Sequence, residues 1–195
     1  MSVAILLLAA GGSTRMGRSK QMLDIGGVPL LVHSVRTALD TGLQPVTVVL
    51  GARAEEHRHI IQSLPVDVLI HADWKNGMGS SLKAGLTHIL NGTTSPEAVM
   101  VLVCDQPRLT TEHLLSLATT YETTKKLIVA SHYGDTDGVP ALFDKSLFAE
   151  LLALSDEQGA RKVIAAHADR VVSISFPDAA WDLDTPEDYA RHLSA

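Results

Sequence analysis

Cysteine is nearly absent: Cys104 stands alone in a chain of 195 residues. One thiol cannot close a disulfide within the chain, and it cannot supply the thiolate cluster of a zinc ribbon or an iron–sulfur centre. Aromatic residues make up only 4% against a hydrophobic share of 46%, so Ala, Val, Leu and Ile must build the core. Basic charge is in deficit, with 16 Lys and Arg against 22 Asp and Glu. That balance argues against a general binder of nucleic acid or anionic membranes, yet permits a locally cationic nucleotide site. No apolar run approaches the roughly 20 residues that span a bilayer. The apolar opening runs straight into a glycine-rich turn with no basic segment ahead of it, so it is read as a buried strand and not a signal peptide. A soluble, cytoplasmic protein is expected. No repeat or Pro/Ser-rich linker divides the chain, and residues 1–195 are expected to form a single domain.

What is present is an alternation of short apolar runs and amphipathic stretches. Strands are predicted at Val3–Leu8, Val46–Leu50, Val66–Ile70, Val99–Val103, Leu127–Ala130 and Val171–Ile174. Several are apolar throughout, as strands covered on both faces are. Helices are predicted at Leu30–Leu39, Ala54–Gln62, Ser80–Leu90, Thr111–Tyr121 and Gln158–Ala168, with a last one started by Thr185 and Pro186. The pattern predicts an α/β fold: a Rossmann-like three-layer α/β/α domain around a mostly parallel sheet. Ligands of such sheets sit beyond the carboxyl ends of the strands, so the residues that follow each strand matter most.

After the first strand comes Ala9-Ala10-Gly11-Gly12-Ser13-Thr14-Arg15-Met16-Gly17-Arg18-Ser19-Lys20. Small residues let backbone amides approach a phosphate, and Arg15, Arg18 and Lys20 add positive charge. The glycine spacing does not fit G-x-G-x-x-G, and Arg18 stands where a P-loop would carry lysine. After the fourth strand comes Cys104-Asp105-Gln106-Pro107, and near the end stands Asp182-Leu183-Asp184. Carboxylates suit a hard cation such as Mg²⁺. Asp105 is equally suited to capping a turn and Asp184 to starting a helix. The segment Asn76–Ser81 combines amide and hydroxyl groups at a helix start, where they can read a base or simply cap. Nine histidines form no H-x-x-x-H pair, and His57-Arg58-His59 is read as a solvated helix face. Cys104 is read as a packed residue and not a nucleophile.

The stretch Leu8–Lys20 resembles the L-A-A-G-x-S-x-R-M-G-x-x-K signature of nucleotidyltransferases with a nucleotide-diphosphosugar-transferase-like fold. The resemblance extends through W-x-N-G-M-x-x-S-L (Trp74–Leu82), V-x-x-x-D-Q-P (Val101–Pro107), G-x-P-x-x-F (Gly138–Phe143), G-A-R (Gly159–Arg161) and D-x-D-T-P-E-D (Asp182–Asp188). The ordered set is similar to the molybdenum cofactor cytidylyltransferases. Ala10 and Val28-Pro29-Leu30-Leu31 lean toward that subgroup, although Val28 replaces its usual Thr and Ser155–Gly159 departs from its tighter G-D-x-G-A-R turn. The resemblance implies CMP transfer from CTP to the terminal phosphate of molybdopterin, with Mg²⁺ and with pyrophosphate released. It implies Lys20 and Arg15 as catalytic residues. Ala9, Ala10, Gly11, Gly12, Ser13, Arg15, Lys20, Asn76 and Ser81 are implied as nucleotide contacts, and Asp105 and Asp184 as metal ligands. A molybdoenzyme or its chaperone is the implied partner. A GTP-dependent relative, a transferase for another phosphorylated small molecule, and a non-catalytic cofactor-binding accessory protein remain the alternatives.

Overall fold

Alternate residues of the first strand, β1 (Val3–Ala9), serve two different cores. Val3, Ile5, Leu7 and Ala9 pack on one face of the sheet, and Ala4, Leu6 and Leu8 on the other, as the two-residue period of a strand requires. The computed structural model describes residues 2–194. Six further strands complete the sheet: β2 (Val46–Leu50), β3 (Asp67–Ile70), β4 (Ala98–Val103), β5 (Ile128–Tyr133), β6 (Thr136–Asp144) and β7 (Val171–Ser175). Their order is β3-β2-β1-β4-β6-β5-β7, and only β6 runs against the rest. This is the mostly parallel, Rossmann-like α/β sheet that the alternation predicts.

Helices α1 (Leu30–Leu39), α2 (Ala54–Ile61) and α4 (Thr111–Thr124) cover one face through Leu31, Val35, Ile61, Leu114 and Leu117. The other face takes α3 (Met78–Leu90), α5 (Phe148–Leu152) and α6 (Arg161–Ala166) through Leu82, Leu86, Leu151 and Ile164. Helix α7 (Pro186–Leu193) opens on a capping box, in which the Thr185 hydroxyl accepts from the Asp188 amide and the Asp188 carboxylate accepts from the Thr185 amide.

Helix α5 is absent from the sequence expectation, and two further elements depart from it. Strand β6 contains Gly138 and Pro140, residues that argue against a strand interior. It is tolerated because pairing with β4 begins only at Ala141, while the ladder with β5 shifts register between Ala130 and Ser131. The helix expected at Gln158–Ala168 shortens to Arg161–Ala166, because residues 155–159 pack as a loop against the start of α3. The register sets Leu8 opposite Val103 and Ala9 opposite Leu50. Strands β1, β2 and β4 thus end at one edge, and the residues that follow them meet there.

Candidate active site

A cavity of about 520 Å³ opens at that edge, lined by Ala9, Ala10, Gly11, Arg15 and Lys20 from the first loop, Ser81 from α3, and Asp105, Asp182 and Asp184. Lys20 is its centre of charge. The Lys20 Nζ donates to Asp105 Oδ2 at 3.0 Å and to Asp184 Oδ1 at 2.9 Å, so the two oxygens are separated by no more than the sum of those distances. Arg15 Nη2 donates to the other oxygen of Asp184 at 2.7 Å. Burial alone would lower the Lys20 ammonium; Asp105 and Asp184 override it and hold the group above the usual lysine range. Burial would raise Asp184, but Lys20 and Arg15 together hold its carboxyl below the usual range.

The chain brings these groups together through its backbone. The Leu183 amide donates to the Asp105 carbonyl at 2.9 Å, laying residues 182–184 beside the end of β4. Helix α7 is capped by Thr185 and Asp188, which leaves the Asp184 carboxylate turned to Lys20 and Arg15 rather than to a helix start. Asp105 likewise directs its carboxylate to Lys20. Asp182 lies on the open side of the same group. Desolvation by the cavity walls, then the charges of Asp105 and Asp184, push its carboxyl up to about 7.

The loop is braced by Trp74, which also lines the cavity. A Cβ on Gly12 would come within 2.9 Å of the Trp74 ring and one on Gly51 within 2.6 Å of the Trp74 side chain, so the indole seats only because both positions lack a side chain. Ser81, buried at the first turn of α3, lines the cavity; Asn76 is exposed and is not among the lining residues. Gly12 and Ser13 are not among the lining residues; Gly12 is exposed and lies against the indole. Cys104 lines the cavity floor but is buried, and burial pushes its thiol up to about 12, which leaves it protonated and inert at neutral pH.

A second cavity of about 190 Å³ adjoins the first and shares Leu8, Met78, Val103, Asp105 and Asp182 with it. Its remaining wall is largely apolar, with Val101, Val139 and Ala160, and its polar groups are Gln106, Tyr133 and Arg161. Gln106 is buried and donates to the carbonyls of Val139 and Ala179 at 3.1 and 3.2 Å, tying β6 to the segment after β4. Residues 155–159 brace this wall against α3. A Cβ on Gly79 would lie 2.2 Å from the Ser155 carbonyl oxygen, and Lys83 pairs with Asp156 at 2.6 Å.

One sequence expectation is corrected here. His57 is not on a solvated face; it is fully buried, and its Nε2 lies 2.7 Å from the Ser19 hydroxyl. The signal was in the sequence: His57 and Ile61 are four apart and share the inward side of α2. Gln21, buried under the loop at 2% exposure, carried no such signal, because a polar residue after a cationic loop reads as surface. Tyr133 reaches the site by way of a strand whose length the apolar run understated.

The family model described as the MobA-like NTP transferase domain matches residues 5–171. Nicotine blue oxidoreductase of Paenarthrobacter nicotinovorans is 29% identical over 96% of this chain and 95% of its own length. A probable molybdenum cofactor guanylyltransferase of Trichormus variabilis is 23% identical over 97% of this chain and 89% of its own. Among solved structures, Rv0371c of Mycobacterium tuberculosis H37Rv matches with a TM-score of 0.86 at 25% identity, covering 100% of this chain and 98% of that one. A complex of Rv0371c with manganese matches with a TM-score of 0.82 at 23% identity. With the matched region running from β1 to the start of β7, the chain belongs to the MobA-like NTP transferase family of nucleotidyltransferases.

Proposed function

We propose that this chain transfers CMP from CTP to the terminal phosphate of a molybdopterin-type acceptor in the cytoplasm, with Mg²⁺ and with release of pyrophosphate. The observation that carries the reading is the position of Lys20, an ammonium held between two carboxylates at the mouth of a glycine-rich loop. An acceptor phosphate oxygen attacks the α-phosphorus of the triphosphate, and the bond from that phosphorus to the bridging oxygen breaks. The electron pair leaves on pyrophosphate. The nucleophile belongs to the substrate, so the protein's tasks are alignment and neutralisation of charge. Lys20 and Arg15 supply fixed positive charge beside the phosphates, and the loop amides supply donors. Ser81 and the methyl of Ala10 border the space for the base, and a small pyrimidine suits that border. The adjoining cavity accommodates the acceptor, with Arg161 at its rim to meet an anionic group.

The donor set suits a divalent cation. Asp105 and Asp184 offer hard oxygens that converge on one point, now held by Lys20 Nζ. Among the described residues, no group of three or more His, Cys, Asp or Glu side chains forms a metal cage. A two-carboxylate site is what Mg²⁺ uses when substrate phosphates and water complete its shell. When bound, the ion neutralises charge on the phosphates. Rv0371c, of the same fold, has been solved with manganese, and the relative from T. variabilis is named for transfer to molybdenum cofactor.

The test is pyrophosphate release by the purified chain with MgCl₂ and CTP or GTP, with and without molybdopterin. The expected result is release that needs the acceptor and prefers CTP. Equal use of GTP would move the protein to the guanylyl-transferring subgroup. No release from either nucleotide with the acceptor present would overturn the transfer reading in favour of a binding protein.

A further inference from the structure

Under the first loop, the Gln21 carboxamide uses its entire hydrogen-bonding capacity. Its Nε2 donates to the carbonyls of Ala9 and Gly11, each at 3.0 Å. Its Oε1 accepts from the hydroxyls of Ser13 and Ser19 at 3.2 and 2.9 Å. Two donors and two lone pairs are all that a primary amide has. The orientation of the amide is therefore fixed, since the flipped form would set its oxygen against two carbonyl oxygens.

The partners of Gln21 extend the clamp. Ser13 Oγ accepts from the Lys20 amide at 3.0 Å, so the far end of the loop is tied back to its start. Ser19 gives its proton to Gln21, so its oxygen accepts from His57 Nε2. A trans peptide points its N–H opposite to its C=O. With the Gly11 carbonyl turned inward to Gln21, the Gly12 N–H is turned outward. The amides of Gly11, Gly12 and Ser13 donate to no group of the chain among the described residues.

We propose that Gln21 is the positioning residue of the anion cradle. It holds the Ala9 and Gly11 carbonyls and the Ser13 and Ser19 hydroxyls on the buried side. The loop amides and Lys20 thus stand in place for a polyphosphate before one arrives. The inference rests on the proposed function only in that the loop takes a polyphosphate. Gln21 is among the cavity's lining residues, but it is almost fully buried with its polar atoms committed to the loop, and it acts through the backbone it holds.

Two substitutions test it. Gln21→Met keeps the length and removes every hydrogen bond. Gln21→Glu keeps the shape and loses both donors until its carboxyl is protonated. Calorimetry with inorganic tripolyphosphate and Mg²⁺ should show both variants weakened about tenfold to hundredfold near neutral pH, the scale of a few buried hydrogen bonds lost. Relative to wild type at each pH, Gln21→Glu should recover part of its affinity on acidification, as one donor returns, while Gln21→Met should not. In turnover assays the nucleotide KM should rise by more than kcat falls. If both variants fail to fold, Ser19→Ala, which removes one partner of Gln21, should weaken tripolyphosphate binding about threefold to tenfold. Folded Gln21→Met with wild-type affinity and KM overturns the inference, as does unchanged affinity in Ser19→Ala where that variant is the one tested. Wild-type binding of tripolyphosphate without turnover of any nucleotide would overturn the proposed function and leave this inference standing. Wild-type failure to bind tripolyphosphate would overturn both.

Discussion

The two adjoining cavities are built by different means. The first is lined by the loop that carries Arg15 and Lys20 and by the segment that opens α3, faced by Asp105, Asp182 and Asp184. Arg15 and Lys20 are paired with Asp105 and Asp184, and the amides of Gly11, Gly12 and Ser13 have no partner in the chain among the described residues. The second is walled largely by apolar side chains from β1, β4, β6 and the start of α6, with Gln106, Tyr133 and Arg161 as its own polar groups and Asp105 and Asp182 shared with the first. Charge that is fixed in advance suits a ligand whose reacting part is always a phosphate. An apolar wall with few polar anchors suits a ligand recognised by its shape. Under the proposed function, this difference assigns the chemistry to the first cavity and the choice of acceptor to the second.

The sharpest way to break that division is Lys20→Ala. Loss of one preorganised charge at the reacting phosphate should lower kcat by about 10²–10³, with a much smaller loss of nucleotide affinity. Steady-state kinetics alongside calorimetry would show it, and an unchanged kcat would remove Lys20 from the chemistry.

The sheet region behind the second cavity should also carry a large acid sensitivity. His113 is buried, stacks on Phe176 at 3.9 Å between ring centres, and lies 2.7 Å from the Ser131 hydroxyl. Ser131 gives its proton to the Pro140 carbonyl, so it accepts from His113 Nε2, and the ring is neutral. Burial lowers His113 to about 4 from 6.5. Below the unfolded value the unfolded state binds the proton more readily, so stability is full above about pH 6.5 and declines as pH falls toward 4. The loss at the bottom of that window should be about 3 kcal/mol. Urea unfolding at pH 7 and pH 4.5 would measure it. His113→Gln should flatten the dependence, and an equal slope in the variant would assign the acid sensitivity elsewhere.

The smallest expected effect sharpens the comparison from the other side. Arg161 lies at the rim of the second cavity and forms no ion pair among the described residues; it donates to Thr136 Oγ1. Arg161→Ala should raise the acceptor KM about tenfold, the scale of one charged hydrogen bond, and leave nucleotide affinity unchanged. A parallel loss of nucleotide affinity would show that the two cavities do not divide the substrates.

How far the sequence discloses each cavity follows from how each is built. Residues that follow apolar parallel strands are readable because the strand rule names the edge at which they meet. That rule puts Lys20 and Asp105 at one edge before any coordinates, and the D-x-D-T-P-E-D resemblance adds the 182–184 segment. Asn76 and Ser81 show its limit: both belong to one helix-start motif, but the turn at Gly77 leaves Asn76 outside and turns Ser81 in. The second cavity is mostly illegible. It depends on β6, whose Gly138 and Pro140 mask a strand, and on contacts between segments distant in the chain. Gln21 and His57 are hidden for a third reason, since a buried polar residue is disclosed only by its partners. Of those partners only Ser19 and Ser13 are near in sequence.

The central claim is that Asp105 and Asp184 serve one cation beside Lys20 when a triphosphate is bound. A crystal of the chain grown with Mn²⁺ and a non-hydrolysable CTP analogue tests it most directly, through the anomalous signal of the metal. The account predicts one strong peak within bonding distance of both carboxylates, with phosphate oxygens completing its shell and Lys20 Nζ moved onto the phosphates. A peak bound to Asp105 and Asp182 alone, or carboxylates of Asp105 and Asp184 more than about 8 Å apart with nucleotide in place, would contradict it.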